Sequence, residues 1–143
     1  TDTGEAGHVA DLHRLLADAD IVSIHVPLTD ATRGLIGRAE LAAMGAHAVL
    51  VNTSRGPVVD EEALADALTE GRIFAAGIDV FEHEPAVNPR LVKLARAGKV
   101  VLLPHMGSAT LEGRIDMGEK VIINIRAFVD GHRPPYRVLP LRT

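Results

Sequence analysis

Four short apolar runs, Ile21 to Val26, Ala48 to Val51, Phe74 to Val80 and Val100 to Leu103, start at almost even intervals along the chain. Each is rich in β-branched residues and too short for a helix, which marks a buried strand. Their starts lie about twenty-six residues apart, close to the ~30 residues that a strand, a crossover helix and a returning parallel strand require. This spacing predicts a parallel, doubly wound α/β sheet. Helical patterns fill the intervals. Val9 to Ala17 puts Val9, Leu12, Leu15 and Leu16 on one stripe, and Arg38 to Met44 is followed by Gly45 in a position that commonly ends a helix. Asp60, Glu61 and Glu62 place acid at the positive end of a helix whose apolar face holds Leu64 and Leu68 and which Gly71 closes. Asn88-Pro89 opens another, through Ala95. Beyond the last strand a long helix is expected from Leu111 to Val129, with Ile115, Ile122, Ile125 and Val129 on a broad apolar face. Gly131 and Pro134-Pro135 end it, and Tyr136 to Thr143 reads as an irregular arm that packs on something outside the chain. The strand spacing comes without sequence self-similarity, so it reflects fold periodicity and not a repeat family.

Composition narrows the function. A chain of 143 residues with 47% hydrophobic content can bury a core of its own. Aromatics are only 3% and Trp is absent, leaving little to stack on single-stranded nucleic acid. A net charge of -4 offers no basic field to phosphate backbones or anionic lipid. No partner of either kind is expected, and small-molecule work is the better reading. The absence of cysteine removes disulfides, thiolate catalysis and Cys-bound zinc. His8 and His13 are the one close His pair, and their spacing of five suits neither a helical face nor a strand, so no metal site is expected. Nothing resembles a signal peptide or a spanning segment, and a cytoplasmic location is expected. The chain opens at Thr1 with a polar stretch and no Met, and it reads as a piece of a longer protein.

In open parallel α/β sheets the ligand crevice lies outside the carboxyl ends of the strands. Those positions here carry His25-Val26-Pro27-Leu28-Thr29, then Thr53-Ser54-Arg55-Gly56, then Asp79 with Glu82-His83-Glu84-Pro85, then Pro104-His105. An Arg in a loop is most often a solvated charge, but Arg55 follows an apolar strand and precedes the rigid Gly56-Pro57 turn. Its planar fork of donors suits a carboxylate. His105, between Pro104 and the looser Gly107-Ser108, is of the residue type that trades protons near neutral pH. Glu84 alone is a loop acid; paired with His105 it would orient the ring and favour its protonated form. Asp79 interrupts an apolar strand, and a buried Asp needs hydrogen-bonding partners.

Three longer strings carry a resemblance. Leu50 to Pro85, LVNTSRGPVVDEEALADALTEGRIFAAGIDVFEHEP, is similar to the central signature of the D-isomer-specific 2-hydroxyacid dehydrogenases. Ala19 to Gly37, ADIVSIHVPLTDATRGLIG, and Leu103 to Thr110, LPHMGSAT, resemble that family's two flanking motifs, in the family's order. The resemblance implies a Rossmann-type cofactor domain and hydride transfer between a nicotinamide cofactor, NAD or NADP, and C2 of a small 2-keto or 2-hydroxy acid. Overall likeness favours glyoxylate or hydroxypyruvate. By motif position it makes Arg55 the carboxylate clamp, His105 the proton donor or acceptor and Glu84 its partner, with Glu82 only a neighbour. Cofactor contacts fall on Pro27, Thr32, Thr53, Asp79 and the turn His105, Met106, Gly107, Ser108. The related formate dehydrogenases also resemble this sequence, but they have an amide in place of the acid, so Glu84 points to the hydroxyacid branch.

One departure is large. The family's phosphate-binding G-x-G-x-x-G occurs nowhere in the chain, and a Gly-rich turn at a helix N-terminus is what cradles a pyrophosphate. The expectation is therefore a partial dinucleotide-binding domain lacking its first strands over residues 1–130. Residues 131–143 are expected to be a tail returning toward a substrate domain that the chain does not include. Such a piece would be inactive alone and bind NADH weakly, while the family implies a homodimeric parent. A different class is carried as the alternative: transcriptional corepressors resemble this family and keep the same Arg, Glu and His, which would make the protein an NAD(H)-sensing interaction partner.

Overall fold

The computed structural model describes residues 7–138. These form two compact units, one ending at His105 and the other beginning at Met106. In the first, helices and strands alternate: α1 (Leu12–Asp18), β1 (Ile21–Ile24), α2 (Arg38–Ala43), β2 (Val49–Asn52), α3 (Glu61–Thr69), β3 (Ala75–Ile78), α4 (Pro89–Arg96) and β4 (Val100–Leu102). The sheet runs β1-β2-β3-β4 and every pairing is parallel. The α/β class expected from the strand spacing is what the chain forms. Sequence neighbours are also spatial neighbours, so a single helix makes each crossover. The register aligns Ile24 with Asn52, Asn52 with Ile78 and Ile78 with Leu102. All four strands thus end at one edge, where the following loops open together.

Alternation along the strands decides what is covered. Val22, Ile24, Leu50, Ala76, Ile78 and Val100 point into one core with Leu16 of α1, Leu41 of α2, Leu64 and Leu68 of α3, and Leu91 of α4. Leu50 is wholly buried, and cutting it to Ala would cost about 2–5 kcal/mol in lost transfer energy and cavity. The opposite face, with Ile21, Ser23, Val49, Val51, Ala75, Gly77 and Val101, is exposed or half-buried.

The elements are trimmed relative to the sequence pattern, each for a local reason. α1 starts at Leu12 and not Val9, because Asp11 takes the N-cap and accepts from the Arg14 N–H. α2 ends at Ala43, where Met44 turns extended to bury its side chain, so Gly45 lies past a turn that has already stopped the helix. Gly71 does what was expected of it: with φ 70° it lets the Arg72 N–H reach back to the Ala67 carbonyl. Asp60 caps α3 through the Ala63 N–H. β3 stops at Ile78, although Asp79 and Val80 remain buried beyond it.

The second unit is built on α5 (Leu111–Val129), capped by Thr110, whose hydroxyl accepts from the Gly113 N–H. None of its side chains is buried, the apolar Leu111, Ile115, Ile122, Ile125 and Phe128 included. After Gly131 the chain turns back: the Tyr136 N–H donates to Asn124 Oδ1 at 2.9 Å, and Lys120 Nζ lies 5.7 Å from the Tyr136 ring centre. The expected arm therefore begins by folding onto its own helix. Its remainder from residue 139, like residues 1–6, lies outside the described residues.

Candidate active site

The loop after β2 is organised from below by Asn52, the last residue of the strand, which is 1% exposed. Its Oδ1 accepts from the Ser54 N–H and hydroxyl at 3.1 and 2.9 Å, and its Nδ2 donates to the Arg55 carbonyl at 3.1 Å. One buried amide thus satisfies three groups of the turn that presents Arg55. The Arg55 side chain is exposed, with Nη1 donating to the Ser54 carbonyl at 2.6 Å. Gly56 follows, buried, and opens a 3-10 turn through Val58.

The loop after β3 carries the acid. The Asp79 N–H donates to the Asn52 carbonyl, and the Asp79 carbonyl accepts from the His105 N–H at 2.8 Å. The three loops are thereby tied in sequence. Asp79 itself is buried, as expected for the one acid in an apolar strand. Glu84 receives the Phe81 N–H on Oε1 at 2.9 Å and meets His105 Nδ1 with Oε2 at 2.8 Å. These contacts hold its carboxyl below the ordinary range. The hydrogen bond from His105 contributes most, then the Phe81 N–H, with the nearby Arg55 charge adding a smaller part. Because a carboxylate only accepts, Nδ1 carries the proton and Nε2 is the ring atom left to exchange one. His105 reaches this place with φ 53°, a left-handed backbone rare for a residue with a side chain, which costs on the order of 1–3 kcal/mol. An apolar recess of about 200 Å³ adjoins the pair, lined by Phe81, Pro85, Val87 and Pro104.

Of the remaining residues singled out in the sequence, Pro27 and Thr53 line an open concavity of about 490 Å³ with His25, Leu28, Ser54 and Arg55, across the ends of β1 and β2. Thr32 is engaged within its own loop: its hydroxyl donates to the Pro27 carbonyl at 2.6 Å and accepts from the Thr29 N–H at 2.8 Å. Met106, Gly107 and Ser108 belong to the second unit, in a turn that the Ala109 N–H closes on the Met106 carbonyl. Among the described residues no group of three His, Asp or Glu side chains is placed to hold a metal ion.

The sequence profile of the family described as D-isomer specific 2-hydroxyacid dehydrogenase, NAD binding domain, matches residues 1–107. The chain belongs to this family. Among its relatives, a glyoxylate reductase of Thermococcus litoralis is 52% identical over 125 residues, 87% of this chain and 37% of the relative. A glyoxylate/hydroxypyruvate reductase B of Erwinia tasmaniensis is 49% identical over 121 residues, 85% of this chain and again 37% of the relative. The chain therefore spans little more than a third of the curated family members it matches. Among solved dehydrogenase structures, D-lactate dehydrogenase with NAD+ from Lactobacillus jensenii superposes with TM-score 0.85 at 33% identity, covering 91% of this chain and 42% of that one. An NADPH-dependent glyoxylate/hydroxypyruvate reductase of Sinorhizobium meliloti gives 0.83 at 35%, covering 93% and 42%.

Two residues that shape the site were not evident as such from the sequence. Asn52 gave a signal, a polar residue ending an apolar strand, which is the position that faces the crevice. Glu61 gave a misleading one. It sits among acids at a helix start, where exposure is the rule, yet it is 6% exposed and its backbone and side chain both bond to Glu82.

Proposed function

We propose that the full-length protein containing this chain reduces a small 2-keto acid to the D-2-hydroxy acid with NADH or NADPH, glyoxylate and hydroxypyruvate being the favoured substrates. The observation that carries this reading is the 2.8 Å pair of His105 Nδ1 and Glu84 Oε2 at the strand edge that also presents Arg55. An acid-base pair beside a guanidinium is what proton transfer to a carboxylate-bearing substrate requires. The names of the relatives add the substrate class, and the open concavity along Pro27, Thr53 and Arg55, about 490 Å³, is of a size to take part of a dinucleotide. Residues 1–130 are read as the cofactor half and 131–143 as the return toward a substrate domain. The chain by itself, lacking a Gly-rich phosphate cradle, is read as inactive.

Pro27 and Thr53 would hold part of a nicotinamide cofactor, which in its reduced form would supply a hydride for C2 of the keto acid. Arg55 holds the substrate carboxylate through its paired N–H donors and so turns the C2 carbonyl toward His105. His105 delivers the proton on Nε2 to the C2 oxygen as negative charge develops there. Glu84 keeps the ring fixed through Nδ1 and balances the charge on the protonated imidazole. In the oxidative direction the neutral ring takes the proton back.

The test is turnover by the full-length protein. Glyoxylate or hydroxypyruvate should consume NADH or NADPH, and hydroxypyruvate should yield the D enantiomer of its hydroxy acid. Arg55→Lys keeps the charge but loses the fork, so kcat/KM for the keto acid should fall by at least ~10²-fold with little change in cofactor affinity. An absence of turnover with both acids, or near-wild-type kinetics in Arg55→Lys, would remove this reading.

A further inference from the structure

Glu61 and Glu82 grip one another's backbone. The Glu61 N–H donates to Glu82 Oε1 at 3.1 Å, and the Glu82 N–H donates to Glu61 Oε1 at 2.7 Å. The exchange fastens the first turn of α3 to the loop that carries Glu84. On the same stretch, Gly56 lies so close to the peptide between Phe81 and Glu82 that any Cβ at position 56 would overlap the Phe81 carbonyl group and the Glu82 nitrogen. The N–H next along the backbone, that of Phe81, is the one that donates to Glu84. The Phe81–Glu82 peptide is thus held at its N–H by Glu61 and packed against the residue following Arg55, one peptide along from the N–H that orients Glu84.

A helix start needs no second carboxylate buried against a first. Glu61 has two like charges nearby, Glu82 and Glu62, with His83 the facing group of opposite sign. Burial above all, and then the charge of Glu82, push its carboxyl above the ordinary range, while the Glu82 N–H pulls it down. Against that electrostatic cost stands the hydrogen bond by which Glu61 holds the Glu82 N–H; an apolar residue would repel nothing but would leave that N–H unheld.

The geometry points to Glu61 as a positioning residue for the acid-base pair, which with Gly56 and Glu82 locks the Arg55 loop and the Glu84 loop into one rigid frame. The inference rests on the function proposed above and deepens it. It states why the carboxylate clamp and the proton donor keep a fixed separation: Gly56 belongs to one loop, Glu84 to the other, and the Phe81–Glu82 peptide is held between them. A shift of about 1 Å in that separation would cost on the order of 10²-fold in rate.

The test uses the full-length enzyme with the keto acid and NAD(P)H. Glu61→Ala removes the acceptor for the Glu82 N–H, and kcat should fall by about 10- to 100-fold with KM for the cofactor unchanged. Its pH profile for reduction should also differ from the wild type's, the low-pH limb moving up as Glu84 loses the contacts that lower its carboxyl. Glu61→Gln keeps an acceptor oxygen at the same place and should restore kcat and profile. Glu82→Ala removes the acceptor for the Glu61 N–H but leaves the Glu82 N–H bonded to Glu61, so it should show the same pattern more weakly and keeps the test open if Glu61→Ala does not fold. A foldable Glu61→Ala or Glu82→Ala with a lowered Tm but wild-type kcat and pH profile would overturn the positioning role and leave the proposed function standing. If Arg55→Lys is also kinetically silent, the proposed function itself has failed and takes this inference with it.

Discussion

Two neighbouring backbone N–H groups, those of Phe81 and Glu82, each donate to a carboxylate, and the two carboxylates they serve are driven in opposite directions. Glu84, half-open to solvent and bonded to His105, is held below the ordinary range. Glu61, buried and facing Glu82, is held above it. One backbone hydrogen bond of similar length favours the charged form in both. The difference therefore lies in what else each acid meets: a ring that can carry positive charge in one case, and burial with a second carboxylate in the other. The partner decides which acid is suited to chemistry and which to structure.

Breaking the partnership at the ring should have the largest effect. His105→Ala removes both the proposed proton donor and the main cause of the shift at Glu84. Turnover in both directions should drop by roughly 10²-fold or more in steady-state assays of the full-length protein, while the Glu84 carboxyl moves up toward the ordinary range, as a carboxylate-detected NMR titration would show. An unmoved Glu84 would place the cause of its shift elsewhere.

Glu84→Gln sharpens the same comparison with a smaller change. The amide keeps shape and one hydrogen bond but withdraws the carboxylate charge that faces Nδ1 at 2.8 Å. Turnover should fall in both directions, and the low-pH limb that follows protonation of the lowered Glu84 carboxyl should vanish from the pH profile. Superimposable profiles would mean that the 2.8 Å contact does not couple the two groups.

The smallest effects are on stability, and their signs are opposite. Glu84 has a lowered carboxyl in the folded protein, so its contribution is present above the ordinary carboxylate range and is lost as pH falls through the lowered value. Glu61 has a raised one, so its contribution is full at low pH and is lost as pH rises through the raised value. Thermal unfolding across the acid range should accordingly show Glu84→Gln losing some of the wild type's acid sensitivity. Glu61→Gln should gain on the wild type as pH rises to neutrality. Identical slopes in wild type and both variants would contradict the opposed shifts.

Much of this fold was legible because it depends on period and composition. Runs such as Ala48 to Val51 had to be buried strands, and their even spacing left room only for helical crossovers. Arg55, Glu84 and His105 stood out because each directly follows such a strand, the edge where a parallel sheet collects its loops. What stayed hidden depends on contacts between segments distant in sequence. Nothing local to Glu61 shows that position 82 will cover it, and nothing in Gly56-Pro57 shows that the Phe81–Glu82 peptide will press on it. Likewise the apolar stripe on α5 marks a face suited to burial, yet no residue of that helix is buried, because the pattern encodes that a face is apolar and not what covers it.

Direct hydride transfer from a nicotinamide to C2 of a keto acid, with Arg55 on the carboxylate and His105 supplying the proton, is the core of the proposed function. Its most direct test follows the hydride. The full-length protein is given hydroxypyruvate or glyoxylate with NADH or NADPH carrying two deuterium atoms at C4 of the nicotinamide, and the product is weighed by mass spectrometry. One deuterium is expected at C2 of every product molecule, with the yield collapsing in His105→Ala. Product free of deuterium, or labelled product formed at the wild-type rate by His105→Ala, would contradict it.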